Sequence, residues 1–105
     1  MRLRANEEGA LRDYFVAKLP PGASAKLFGS RVHDKAHGGD VDICVVASID
    51  ATPQLRHQLH RMRAELRELL GDQRVDVSIV EESVAATDAF WRRALAQAVE
   101  LVKAT

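Results

Sequence analysis

Leu27-Phe28-Gly29-Ser30-Arg31, then residues 32–39, then Asp40-Val41-Asp42-Ile43-Cys44-Val45-Val46, is the stretch on which the reading of the whole chain turns. It reads as a strand, a phosphate loop and a metal-binding strand. Side chains alternate between the two faces of a strand, so Asp40 and Asp42 share a face, their Cα atoms roughly 6.6 Å apart at about 3.3 Å rise per residue. Two carboxylates at that spacing can grip one divalent ion or share two.

Downstream, residues 74–80 repeat the alternation: Val75, Val77 and Ile79 on one face, Asp76 and Ser78 on the other. Val41, Ile43 and Val45 match the apolar set, so both strands can pack that face under helices. Between the strands Thr52 reads as a cap and Pro53 as the first helical position. A stripe of Leu55, Leu59, Met62, Leu66 and Leu69 follows, and Gly71 ends the helix. A helix joining two strands of one sheet makes a right-handed parallel crossover, which puts Asp40, Asp42 and Asp76 at one end of the sheet. Upstream, Asn6 reads as the cap of a helix over residues 7–19, with Leu11, Phe15 and Leu19 every four residues and Pro20-Pro21-Gly22 as its stop. Ser24–Phe28 then forms the first strand. For Gly29-Ser30 to reach the aspartates, that strand must run antiparallel to the second. The expectation is an α/β (α+β) fold with a three-stranded mixed sheet, order 1-2-3, and helices packed on one face. A last helix from about Thr87, after an irregular lead-in at 84–86, carries Phe90, Ala94, Ala98 and Leu101 inward.

A chain of 105 residues, 47% apolar, is read as one domain, 1–105, with a single modest core. Lysine plus arginine balance aspartate plus glutamate at 15 each, which argues against a general field for nucleic acid or anionic membrane. No apolar run has the length of a bilayer span, and Met1-Arg2-Leu3-Arg4 is not followed by a signal-peptide core, so the expected address is the cytoplasm. Cys44, the one cysteine, falls in an apolar strand and reads as a small buried hydrophobe with no catalytic role.

Converging carboxylates repel one another, and Mg²⁺ relieves the cost while binding the phosphates of a triphosphate. Gly29 lets backbone N–H groups approach those phosphates without a Cβ in the way, Ser30 adds a hydroxyl, and Arg31 adds a forked donor. With two ions, one activates an attacking hydroxyl and one stabilises the departing pyrophosphate; Asp76 suits the nucleophile side and can serve as a base.

Gly29-Ser30-Arg31, Gly39-Asp40-Val41-Asp42-Ile43 and Val75-Asp76-Val77 resemble the signature of the DNA polymerase beta nucleotidyltransferase superfamily, in its minimal nucleotidyltransferase (MNT) branch. Nearly the whole chain takes part in the resemblance. It implies the nucleotidyltransferase fold and transfer of a nucleoside monophosphate, AMP from ATP, with Asp40, Asp42 and Asp76 as catalytic and Mg²⁺-binding residues and Gly29, Ser30 and Arg31 at the nucleotide. It also implies a helical HEPN-like partner protein, some MNT proteins being antitoxins that adenylylate such a partner. Nine residues separate Ser30 from Asp40 where ten is commonest in that branch, and Gly39 stands where serine is frequent. The acceptor stays open: a partner's hydroxyl, an RNA end or a small molecule, or no transfer at all in a nucleotide-binding subunit that acts by association.

Several other residues have plain structural readings. His33, Asp34, Lys35 and His37 read as solvent-exposed loop, and Arg56, His57, Arg61, Arg63 and Arg67 as a solvated helix face paired locally with Glu65 and Glu68. Phe90 and Trp91 are adjacent, so one ring must face away from the core, where it is weak evidence for a partner surface. Tyr14 reads as a packing residue.

Overall fold

A computed structural model describes residues 5–28, 40–71 and 74–103. In chain order the elements are α1 (Ala5–Lys18), β1 (Ser24–Phe28), β2 (Asp40–Ala47), α2 (Thr52–His57), α3 (Leu59–Leu69), β3 (Arg74–Glu81), α4 (Glu82–Thr87), α5 (Ala89–Ala96) and β4 (Val99–Val102). β2 pairs parallel with β3 and β1 pairs antiparallel with β2, as the crossover and the aspartates require. The sheet, however, has four strands in the order β3-β2-β1-β4, not three.

The fourth strand was hidden because Ala98 and Leu101 continue the three- and four-residue spacing of the helix before them. Tertiary pairing overrides that periodicity. β1, with Ala25 fully buried, would otherwise leave a row of backbone donors and acceptors unpaired, and β4 supplies their partners across a register shift between Ala25 and Lys26. Leu101 is buried as expected, but from a strand.

One face of the sheet carries the core. Ala25 and Leu27, Val41, Ile43 and Val45, and Val75, Val77 and Ile79 pack against Leu11 and Phe15 of α1, Leu55 of α2, and Met62 and Leu66 of α3. Helices do not keep to that face alone. Trp91 of α5 meets Phe28, and residues of α4 and α5 gather with Lys26 and Val46, all on the opposite side by strand alternation. The single helix expected after Thr52 is interrupted at Gln58, whose ψ of 0° departs from helical geometry before Gln58 O accepts from Met62 N at 2.9 Å and the run resumes. Thr52 is not the cap. Ala51 holds that position, and the Thr52 hydroxyl donates to Ile49 O at 3.1 Å. At the far end Leu70 (5% exposed) faces the core in place of Leu69 (43%), and Gly71 turns the chain at φ +69°.

α1 begins at Ala5, so Asn6 lies inside the helix rather than capping it. Its exit is the expected stop: Pro21 and Gly22, with φ +84° at Gly22, form a turn closed by Ala23 N donating to Pro20 O at 3.2 Å. The arginines of the crossover are not all solvated. Arg56 donates to Ile79 O at 3.4 Å and Arg63 to Val77 O at 3.2 Å, covering carbonyls of the edge strand β3.

Glu65 likewise reaches across instead of pairing within its own helix, accepting from the Tyr14 hydroxyl at 2.7 Å and standing 3.9 Å from Lys18 Nζ. Burial, then that hydrogen bond, then the carboxylate's charge push the Tyr14 phenol well above its ordinary value of 10.0. An acid with a raised folded-state pKa keeps a proton that the unfolded chain releases above about pH 10, so its contribution is full below pH 10 and fades as pH climbs. Tyr14→Phe is expected to cost about 1 kcal/mol near neutrality and to flatten the alkaline decline. Urea midpoints at pH 8 and pH 11 check this; a decline as steep in the variant would assign it to other groups.

Candidate active site

The sheet end where β1 finishes and β2 and β3 begin carries the expected carboxylates. Phe28, Asp42 and Asp76 lie side by side in register on β1, β2 and β3, so their side chains leave one face. Neighbouring strands lie about 4.8 Å apart, which brings the Asp42 and Asp76 carboxylates within reach of one ion. Asp42 is half-buried, while Asp76, on the edge strand, is exposed.

Asp40 opens β2 opposite Arg74, two residues before Asp42. The Asp40 side chain lies outside the described residues, and so do Gly29, Ser30 and Arg31 and the loop residues His33, Asp34, Lys35 and His37. Among the described residues no group of three or more His, Cys, Asp or Glu is gathered as a metal centre. Two of the three expected ligands, Asp42 and Asp76, are therefore placed together. Such hard, anionic oxygens suit Mg²⁺ and would not suit a soft metal.

The next row inward is Lys26, Cys44 and Ser78. Burial pushes the Cys44 thiol up to about 12, against a smaller lowering by Lys26, so it stays a neutral hydrophobe, as its position in an apolar strand implies. Lys26 lines an open groove of about 430 Å³ with Val46 on the sheet side and Glu82, Arg92 and Leu95 on the helix side.

Sequence reasoning missed Arg74, Phe28 and Lys26 as neighbours of the carboxylates. Strand parity alone would have put Lys26 and Phe28 on one face, but only the pairing register places Phe28 beside Asp42. The order within the aromatic pair is also settled. Asp88 caps α5, its carboxylate accepting from Trp91 N at 3.1 Å, and this start turns Trp91 onto Phe28 and leaves Phe90 61% exposed, not inward.

A family model described as a nucleotidyltransferase domain matches residues 10–95, which spans the described parts of β1, β2 and β3 with all the candidate carboxylates. No curated protein matches the chain. Among the described residues no helix is long and apolar enough to cross a membrane.

Proposed function

The chain belongs to the nucleotidyltransferase domain family, and from that premise we propose that it transfers AMP from ATP, with Mg²⁺, to a hydroxyl of a helical partner protein. The observation that carries the reading is the parallel register of β2 and β3, which sets Asp42 beside Asp76 at the sheet end where β1 runs out toward Gly29-Ser30. When bound there, Mg²⁺ would supply charge neutralisation for the triphosphate and a more acidic attacking hydroxyl.

The chain's own groups have distinct tasks. Asp42 and Asp40 would hold the ion from β2. Asp76, exposed at the sheet edge, would hold it as well, and takes the acceptor's proton on a carboxylate oxygen as the hydroxyl oxygen bonds to the α-phosphorus and the bond to the pyrophosphate breaks. Gly29, Ser30 and Arg31 hold the β and γ phosphates through backbone N–H, hydroxyl and guanidinium donors.

A partner protein suits the acceptor role because positioning supplies much of the rate in such transfers, and a folded protein holds its own hydroxyl in place. Asp76, exposed on the edge strand, is open to such a partner. A HEPN-like partner and an antitoxin role fit this reading.

Intact-mass spectrometry of the chain mixed with a candidate helical HEPN-like protein, given ATP and Mg²⁺, tests the proposal. The expected result is the mass of one AMP added to the partner, on tyrosine as first candidate. A stable complex with no added mass at saturating ATP would instead support a nucleotide-binding subunit that acts by association. Absence of any complex would redirect the search to RNA ends and small-molecule hydroxyls.

A further inference from the structure

Aromatic rings lead away from the carboxylates toward solvent. Phe28 is the register partner of Asp42, Trp91 of α5 packs on Phe28 with ring centroids 5.3 Å apart and planes at 67°, and Phe90 stands against Trp91 at 5.0 Å and 83°. Burial falls along the same path. Phe28 and Trp91 are half-buried, and Phe90 is 61% exposed. Neighbouring residues on a helix point about 100° apart, so seating Trp91 on the sheet obliges Phe90 to face outward. On the same side of the sheet, Lys26 and Arg92 bring two cations to the groove beneath α4 and α5.

We infer that Phe90 and Trp91, held by α5 against Phe28, form the stacking platform for the base of the bound nucleoside triphosphate. The inference rests on the nucleotidyltransferase reading, since it needs the phosphates at Asp42 and Asp76. With the phosphates there, the nucleoside must leave along one of the surfaces bordering the carboxylates. The aromatic path borders them through Phe28, and the base is the one part of the ligand with an apolar, polarisable face to match a ring. Stacking accepts any base because each has a π-face, and it favours the larger purines over pyrimidines. The platform would thus set a purine preference without reading base edges by hydrogen bonds.

Trp91 is the only tryptophan of the chain, so its fluorescence reports on this surface alone. The intact protein with Mg²⁺ is titrated with ATP, GTP, CTP, UTP and inorganic tripolyphosphate, following fluorescence and calorimetry together. ATP and GTP are expected to quench Trp91 and to bind more tightly than CTP and UTP, while tripolyphosphate binds with little quenching. Phe90→Ala, at an exposed position that the fold does not depend on, is expected to weaken ATP binding about five- to hundredfold and to leave tripolyphosphate unchanged. Phe90→Tyr should restore the affinity. ATP binding that is untouched by Phe90→Ala, or quenching no greater with ATP than with tripolyphosphate, overturns the platform and leaves the nucleotidyltransferase reading standing. Failure of both ATP and tripolyphosphate to bind overturns the two together.

Discussion

Asp42→Asn is expected to lower nucleotidyl transfer by about 10² to 10³, the scale of removing one preorganised electrostatic group from a site where charge develops, and to weaken Mg²⁺-dependent triphosphate binding. Asp42 is placed for this effect by two pairings at once: β1 on one side sets Phe28 against it, and β3 on the other sets Asp76. The amide keeps the shape of the carboxylate, so the fold should survive. Calorimetry with Mg²⁺ and ATP, paired with a thermal melt, separates binding from folding. Wild-type affinity in a folded Asp42→Asn protein would remove the carboxylate pair from the mechanism. Asp76→Asn provides the companion measurement. If Asp76 both binds the ion and takes the proton, its loss should depress turnover more than triphosphate affinity.

The largest effect on stability is expected at Phe15. Among the described residues it is the largest fully buried side chain, and it lies under the sheet with Leu11, one helical turn away. Phe15→Ala removes a ring from a close-packed interior and leaves a cavity, a change that costs about 3 to 5 kcal/mol. Domains of this size hold only about 5 to 15 kcal/mol in total, so the loss is a large fraction of the whole and the variant should melt upwards of about 10 °C lower. Denaturant midpoints give the number, with Val16→Ala on the exposed side of α1 as the control. A loss below about 1 kcal/mol would mean that α1 does not dock on the sheet through Phe15.

The two sites are coupled through the sheet, whose strands are core on one side and site on the other. Ile43 and Val77 are buried under α1 to α3, while their neighbours Asp42 and Asp76 face the other way. Period-two alternation made this division visible in the sequence, because a strand with aspartate at every second position and valine or isoleucine between has one register that buries only the apolar set. The bounds of β1 were legible too, and the crossover between parallel strands gave the shared end for the aspartates. The chain punctuation at Pro21-Gly22 and Gly71 was equally legible, since both glycines adopt the positive φ that other residues avoid.

Other features could not be read from one sequence. β4 is a strand because β1 needs a partner for its second edge, and that need exists only once β1 lies in the sheet. Arg56 and Arg63 are drawn from a solvated face to the carbonyls of β3 because α2 and α3 dock beside an edge strand. Trp91, not Phe90, turns inward because Asp88 fixes where α5 begins and Phe28 offers a ring to pack on. The parity of the strands, the end of the sheet where the carboxylates meet and the family resemblance all follow from spacing along the chain. The fourth strand, the second helical layer and the neighbours of Asp42 arise on folding, because each depends on surfaces that residues distant in sequence present to one another.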